Sequence, residues 1–186
     1  MHDIIIVGAG PAGASAALFA AKAGKNTLVL DSDQSITKKA WVANHYGAKE
    51  LSGPELVDIG IEQMKGFGAE HKAAKVSKVE STGNGAKVVT DQGEFEAKHV
   101  LLTTGMMANV AEDSGISVKE GSEPKIQKVV DIKENGQTSQ ANIWAAGTCA
   151  DKSVHTIITA GHGAEVAINI ISELNGERYV DHDINN

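Results

Sequence analysis

The sequence predicts an α/β fold built around a parallel β-sheet, and three observations near the N-terminus carry this prediction. The β-branched run at residues 4–7 is typical of a buried strand. The Ala-rich segment 11–24 predicts a helix, with proline in the first turn, where it is tolerated. A second apolar strand, residues 26–30, ends at Asp31. Strand, helix and strand in this order are typical of a βαβ unit, whose two strands are parallel.

Three glycines between the first strand and the helix have the spacing G-x-G-x-x-G. Gly8 permits a tight turn, Gly10 lets a pyrophosphate approach the backbone, and Gly13 lets helix and strand pack closely. The helix N-terminus offers unpaired N–H groups to phosphates. Asp31, about 20 residues further on, can accept hydrogen bonds from an adenosine ribose. The alternative is a glycine-rich turn in an ordinary βαβ unit with Asp31 capping a loop. Because all the features come in order, the sequence predicts a dinucleotide site.

Composition bounds the class of protein. Hydrophobic residues make up 41% of the 186-residue chain and charged residues 22%, as in an ordinary soluble domain. The net charge of −7 argues against nucleic-acid binding, which needs clustered Lys and Arg. The single cysteine, Cys149, excludes an intrachain disulfide. The N-terminus lacks the basic region of a signal peptide, and segment 157–171 contains charged and glycine residues that do not suit a membrane span. A cytoplasmic protein is expected.

The segment after Asp31 is polar and predicts a loop with one helical turn. Trp41, His45 and Tyr46 concentrate aromatic surface there, and two interpretations stay open: they close the edge of the core, or they contact a ligand.

Ser52 and Glu55 have the spacing of a capping box and predict the start of a second helix. Leu56, Ile59, Gln63 and Phe67 share one face of that helix.

The rest of the chain predicts mostly strands. Segments 75–80, 86–90 and 94–98 are separated by turns at 83–85 and 91–93, which predicts an antiparallel three-stranded meander. Further short strands are predicted at 99–103, 129–132 and 142–147, and a long helix at 153–174 that closes at Asn175 and Gly176. Without an internal repeat or a flexible linker, one domain spanning 1–186 is expected.

Five segments in this order resemble a known family: residues 7–13, 51–56, 101–105, 143–147 and 157–164. They are similar to the FAD-binding domain of thioredoxin-reductase-like pyridine nucleotide–disulfide oxidoreductases. The resemblance implies a three-layer ββα Rossmann-like domain, with helices on one face of the parallel sheet and the meander on the other. It also implies that the cofactor is FAD rather than NAD.

The sequence departs from the family pattern in three places. The family inserts an NADPH domain with a second glycine fingerprint and a Cys-x-x-Cys pair, and neither is found here. The two halves, about 1–105 and 109–180, are therefore expected to join at residues 106–108. Thr148 stands where the family has an aspartate that holds the ribityl chain of FAD, and residues 33–35 replace a Gly-Gly-Gln sequence. A hydroxyl lacks the charge assistance of a carboxylate.

The resemblance assigns cofactor contacts to residues of the five segments and of the loops beside them: Gly8, Gly10, Pro11, Ala12, Gly13, Asp31, Ser32, Lys39, Asn44, Lys75, Val76, Thr103, Thr104, Gly105, Gly147, Thr148, His155, Thr156 and Ile157. It also implies that the last helix points its N-terminus at the pyrimidine edge of the flavin, where the helix dipole stabilises negative charge. For Lys39 the alternative is an ordinary solvated surface lysine.

The other reactive side chains give only weak indications of function. His155 and His162 are too few for a metal site, and no metal is expected. A lone cysteine such as Cys149 is more often a small buried residue than a redox centre. Asp151 is expected to cap the last helix. No catalytic residue is assigned.

The function expected is that of a flavoprotein oxidoreductase that transfers electrons through FAD to or from a donor or partner outside the chain. The alternative is a non-catalytic FAD-binding module that acts as a flavin carrier, a sensor or an assembly subunit. Pro11, Asp31, Asn44 and residues 104–105 favour the first function. Thr148 and the missing glycine pair at residues 33–35 favour the second. The expected partner is an external electron donor or acceptor, and a homodimer stays open.

Overall fold

The computed structural model describes residues 1–181 and 183. The first half of the chain forms β1 (His2–Val7), α1 (Pro11–Lys22), β2 (Thr27–Asp31), a 3₁₀ turn (Ile36–Lys39), β3 (Trp41–Val42), β4 (Leu51–Ser52), α2 (Gly53–Gly66), β5 (Glu70–Ala73), β6 (Val76–Thr82) and β7 (Gly85–Thr90). The second half forms β8 (Gly93–Leu102), α3 (Asn109–Asp113), β9 (Val118–Glu120), β10 (Lys128–Val130), β11 (Ile143–Ala145), a second 3₁₀ turn (Thr148–Ala150) and α4 (Thr156–Asn175).

The parallel part of the main sheet has the strand order β5, β2, β1, β8 and β11. Strand β8 has β1 along one edge and two partners along the other. Its first half pairs with β7 in antiparallel fashion, and its second half pairs with β11 in parallel. Strand β6 then pairs with β7 and completes the meander. The predicted separate strands at 94–98 and 99–103 are therefore one strand, because no turn residue interrupts the chain between them.

A separate hydrophobic core lies on each face of the sheet, because successive apolar side chains of a strand point to opposite faces. On one face, Ile4 and Ile6 pack with α1 and α4. On the other face, Ile5 and Val7 pack with apolar side chains of the meander and of α3. Helices thus cover one face and the meander covers the other, which confirms the three-layer α/β fold expected from the sequence.

Helices α1 and α4 pack very closely because small residues line their contact. A Cβ atom placed on Gly163 of α4 would lie 2.0 Å from the carbonyl oxygen of Ala12 in α1. Residues with larger side chains could not occupy this position without moving one helix. This contact fixes the relative position of the two helix N-termini that border the site described below.

Helix α2 begins as predicted and buries a different face. Ser52 and Glu55 form the capping box, with the Ser52 N–H donating to Glu55 Oε2 at 2.8 Å. The predicted shared face is largely exposed, however, since Ile59 and Phe67 are 40% and 48% exposed. Val57 is buried instead, on the side where Gly60 lets the helix approach α1.

Outside the main sheet, β3 pairs with β4 and β9 pairs with β10 in two small antiparallel sheets. The 3₁₀ turn at Ile36–Lys39 agrees with the single helical turn predicted there. Strands β3, β4, β5 and β9 and helix α3 were not predicted, because short segments carry little periodicity. Helix α4 begins at Thr156, three residues later than predicted, and ends at Asn175 with Gly176 as its C-cap residue, as predicted. Within the described residues, no helix is long and apolar enough to cross a membrane.

Trp41 and Tyr46 do not close the edge of the core, which was one of the two interpretations. Their side chains are 65% and 92% exposed. The Trp41 indole donates to Glu50 Oε1 at 2.7 Å, which holds the ring on the surface of the small sheet.

Candidate FAD-binding site

A groove of about 580 Å³ lies where the carboxyl ends of β1, β2 and β8 meet. This edge is the usual ligand-binding position of an open parallel sheet. Among the residues predicted from the sequence, the groove is lined by Gly8, Gly10, Pro11, Ala12, Asp31, Ser32, Lys75, Val76, Thr103, Thr104, Gly105 and Thr148. The fold therefore brings residues from five separate regions of the chain to one place.

The glycine loop between β1 and α1 is held to its neighbours on both sides. Gly8 has φ +103°, and its N–H donates to the Leu30 carbonyl at 2.8 Å. The Thr103 hydroxyl donates to the carbonyls of Val7 and Gly8, at 2.8 and 3.1 Å. A Cβ on Gly13 would lie 1.9 Å from the Gly8 carbonyl oxygen, so no side chain fits there. Gly13 thus permits the close contact of helix and strand expected for this motif.

The N-terminus of α1 is left without a side-chain cap. Gly10 is the N-cap residue, and the first turn contains no acidic residue. Helix α2, by contrast, satisfies its own N-terminus through the capping box of Ser52 and Glu55. Because Gly10, Pro11 and Ala12 line the groove, the free N–H groups and the positive end of the α1 dipole border it. This arrangement suits the phosphates of a dinucleotide.

Asp31 lies at the end of β2 and lines the groove. Its Oδ1 atom accepts the backbone N–H of Ala9 at 3.2 Å, and its side chain is 12% exposed. The carboxylate therefore holds the glycine loop in addition to facing the groove. Its remaining lone pairs can accept ribose hydroxyls.

Gly147, in the segment that follows β11, is held by a residue of α4. Its N–H donates to Nδ1 of His162 at 3.0 Å. Burial lowers the pKa of His162 from 6.5 to about 4, and the charge of Lys152 acts in the same direction. His162 is therefore neutral near pH 7, which is the state that can accept this hydrogen bond. This role of His162 was not predicted from the sequence, because the two residues are 15 positions apart in different elements.

Gly147 also adopts φ +79°, and a Cβ there would lie 2.8 Å from the Cβ of Ala12. Gly147 and Ala12 thus bring the end of β11 against the start of α1. The next residue, Thr148, is 7% exposed and lines the groove. The correspondence of Thr148 to the family's aspartate stays a prediction. Thr159 of α4 also lines the groove and was not predicted.

Seven predicted residues are not among those that line the groove. Two of them, Gly13 and Gly147, permit the close contacts described above, and the other five are Lys39, Asn44, His155, Thr156 and Ile157. Lys39 and Asn44 lie in the exposed loop after β2. The other three lie at the start of α4, where His155 is the N-cap residue. The Thr156 hydroxyl is 3.0 Å from Nδ1 of His45, so the loop and the helix are joined beside the groove. Cofactor contacts by these seven residues, and by the predicted residues that line the groove, stay predictions.

Asp151 does not cap α4, which corrects the prediction. Its Oδ1 atom accepts the backbone N–H of Ser122 at 2.8 Å and the Ser122 hydroxyl at 2.9 Å. These bonds lower the pKa of Asp151. The residue adopts a left-handed backbone conformation with φ +64°. Asp151 therefore anchors the segment before β10.

Cys149 is 1% exposed, and burial raises the pKa of its thiol. Its Sγ atom donates weakly to the carbonyls of Ala146 and Leu102. A buried thiol with a raised pKa is a poor nucleophile. Within residues 1–181 and 183, no group of three or more potential ligands could hold a metal ion.

Comparison with known families identifies the chain. Residues 3–43 match the FAD binding domain model, and residues 52–164 match the model of pyridine nucleotide-disulphide oxidoreductases. The second match covers more than half of the chain, so this protein belongs to the pyridine nucleotide-disulphide oxidoreductase family.

Several thioredoxin reductases are similar to this chain in sequence. The thioredoxin reductase of Aquifex aeolicus is 39% identical over 122 residues, which is 62% of this chain and 37% of that protein. The thioredoxin reductase of Peptoclostridium acidaminophilum is 34% identical over 60% of this chain and 36% of its own length. The chain thus matches little more than a third of the length of these curated relatives.

Solved structures show the same fold. A thioredoxin reductase from Gloeobacter violaceus superimposes with a TM-score of 0.86 at 18% identity, covering 100% of this chain and 99% of that one. The atypical thioredoxin reductase from Desulfovibrio vulgaris Hildenborough gives 0.78 at 17% identity, over 95% and 99%. A ferredoxin-flavin thioredoxin reductase from Clostridium acetobutylicum gives 0.76 at 19% identity, over 94% and 98%.

The cofactor of this domain is FAD, and the groove fits it. The uncapped N-terminus of α1 suits the pyrophosphate, the glycine positions leave room for a close backbone approach, and Asp31 suits the ribose. When bound, FAD supplies hydride and electron chemistry, while the protein orients it and controls access.

Proposed function

We propose that this protein is an FAD-dependent oxidoreductase that exchanges electrons with a donor or partner outside its own chain. The observation that carries the proposal is the short connection between β8 and α3. Only residues 103–108 separate these two elements, in a turn closed by the Thr104 hydroxyl, which donates to the Met107 carbonyl at 2.5 Å. In the family, an NADPH domain is inserted at the corresponding place.

A second observation supports an outside donor. Met107 and Val154 line the groove, yet their side chains are 60% and 47% exposed. The groove is therefore bordered on this side by exposed apolar surface that another molecule can cover. Since one of the similar structures is a ferredoxin-flavin thioredoxin reductase, ferredoxin is one donor to test.

This proposal is tested by mixing the FAD-loaded protein with NADH or NADPH under anaerobic conditions and monitoring the flavin absorbance. The expected result is slow bleaching without saturation. Reduction should become fast when a separate protein reductase or reduced ferredoxin is added. Fast bleaching that saturates at low-micromolar nicotinamide would contradict dependence on an outside donor.

The alternative function is a non-catalytic FAD-binding module, and Thr148 is the observation that favours it. Thr148 lies in the groove with a hydroxyl where the family has a carboxylate, so one charged contact to the cofactor is lost. Photoreduction followed by addition of a quinone or a candidate partner separates the two functions. An oxidoreductase is reoxidised by the acceptor in repeated cycles, whereas a carrier or sensor is reoxidised only by dioxygen.

A further inference from the structure

A histidine that lies beside Asp31 has no role in the site described so far. Strand β5 pairs in parallel with β2, with His71 opposite Val29 and Ala73 opposite Asp31. Because alternate residues of a strand share one face, His71 lies on the same face of the sheet as Val29 and Asp31. Nε2 of His71 is 3.7 Å from Oδ2 of Asp31.

This ring nitrogen is unusual in its surroundings. In the described part of the chain, Nε2 of His71 is the one buried side-chain nitrogen or oxygen without a hydrogen-bond partner. A buried polar atom without a partner is costly, so native proteins nearly always satisfy it. The Asp31 carboxylate is an acceptor 3.7 Å from this nitrogen, and a small movement of the ring would bring the two atoms within hydrogen-bond distance.

The two carboxylate oxygens of Asp31 then have separate tasks. Oδ1 accepts the Ala9 N–H and ties the carboxylate to the glycine loop. Oδ2 lies toward His71. A carboxylate has about four acceptor positions, so a carboxylate fixed by two protein donors still has lone pairs for a ligand. The side chains of Asp31 and His71 are 12% and 24% exposed, which limits competition from water.

We propose that His71 is a positioning residue for the adenosine half of FAD. In the neutral tautomer with its proton on Nε2, His71 donates to Oδ2 of Asp31. This bond holds the carboxylate in the orientation in which its free lone pairs accept the ribose hydroxyls. The proposal rests on FAD binding in the groove, and it adds a residue from a strand that no motif marks.

A double-mutant cycle tests the proposal. FAD and ADP are titrated into the apo forms of the wild type, His71→Leu, Asp31→Ala and the double variant. When Asp31 is present, His71→Leu should weaken the binding of both FAD and ADP by about tenfold. In the Asp31→Ala background, the same substitution should weaken binding by less than about twofold. His71→Gln, whose amide can donate to the carboxylate, should restore most of the affinity.

Two controls separate positioning from general damage. FMN lacks the adenosine half, so its affinity should be unchanged by His71→Leu. Lys72→Gln changes the neighbouring residue of β5, whose ammonium lies 4.7 Å from the centre of the Phe95 ring, and should leave FAD affinity unchanged. An equal loss for FAD and FMN, or the same loss in both Asp31 backgrounds, would overturn the proposal.

Two further outcomes are decisive. If the leucine variant does not fold, the ¹⁵N resonances of the His71 ring in the wild type decide. A proton on Nε2 whose resonance shifts with ADP but not with FMN supports the proposal, and a proton on Nδ1 overturns it. A wild type that binds neither FAD nor ADP would overturn the FAD site itself, whereas FAD binding without coupling between His71 and Asp31 overturns only the role of His71.

Discussion

Acidification should destabilise this protein through His162, and the replacement His162→Asn should remove that effect. His162 is 7% exposed, and its Nδ1 atom accepts the Gly147 N–H at 3.0 Å. A protonated imidazole could not accept this bond and would be a charge in the interior. Burial accordingly lowers the pKa of His162 to about 4.

The sign of the effect follows from linkage. Above the usual pKa of 6.5, the histidine is neutral in the folded and the unfolded chain, so the stabilisation is fully present. As the pH falls, the unfolded chain binds the proton first, and stability decreases until the folded pKa of about 4 is reached. The difference between a pKa of 6.5 in the unfolded chain and about 4 in the folded one corresponds to a loss of about 3 kcal/mol in the free energy of unfolding. For a chain of this size, that loss lowers the Tm by about 6 to 12 °C.

Urea unfolding of wild type and His162→Asn between about pH 7 and about pH 4 measures the effect. Asparagine can keep the acceptor for Gly147 and cannot titrate in this range. Burial also lowers the pKa of His99, so both proteins should lose stability in acid, and the difference between them isolates His162. The wild type should lose about 3 kcal/mol more than the variant. Parallel curves for the two proteins would refute the reasoning, and an NMR titration of the ring gives the pKa directly.

Three further results are expected. Gly163→Ala should destabilise the protein by more than about 2 kcal/mol in urea unfolding, because its Cβ would meet the α1 main chain at 2.0 Å, whereas Gly161→Ala on the same helix has open space and should be neutral or stabilising. Asp31→Ala should weaken FAD binding at least about tenfold, while Asp151→Ala should mainly lower the Tm; a larger affinity loss in Asp151→Ala would contradict this. Thr148→Asp should lower the Tm of the apo protein and tighten FAD binding by about tenfold in titrations, and unchanged affinity would place the ribityl chain elsewhere.

Local patterns in the sequence determined the parts of the fold that depend on neighbouring residues. The βαβ unit and its dinucleotide site could be predicted because their features all lie within the first 31 residues. These features are the apolar run at residues 4–7, the spaced glycines and Asp31. The capping box at Ser52 and the C-cap glycine of α4, Gly176, were also predicted, because caps are made by side chains and backbone a few residues apart.

Only the tertiary structure decided which of several equivalent patterns is used. Helix α2 carries apolar residues on two faces, and Gly60 against α1 selects the face that is buried. Asp151 could cap a helix by its position in the sequence, but in the folded protein its carboxylate accepts the Ser122 N–H instead.

The pairings of His162 with Gly147 and of His71 with Asp31 join residues 15 and 40 positions apart. Such contacts cannot be predicted from local propensities, because they exist only after strands and helices have packed against one another. The sequence by itself therefore determined the motif and its chemistry, and packing determined which side chains hold that motif in place.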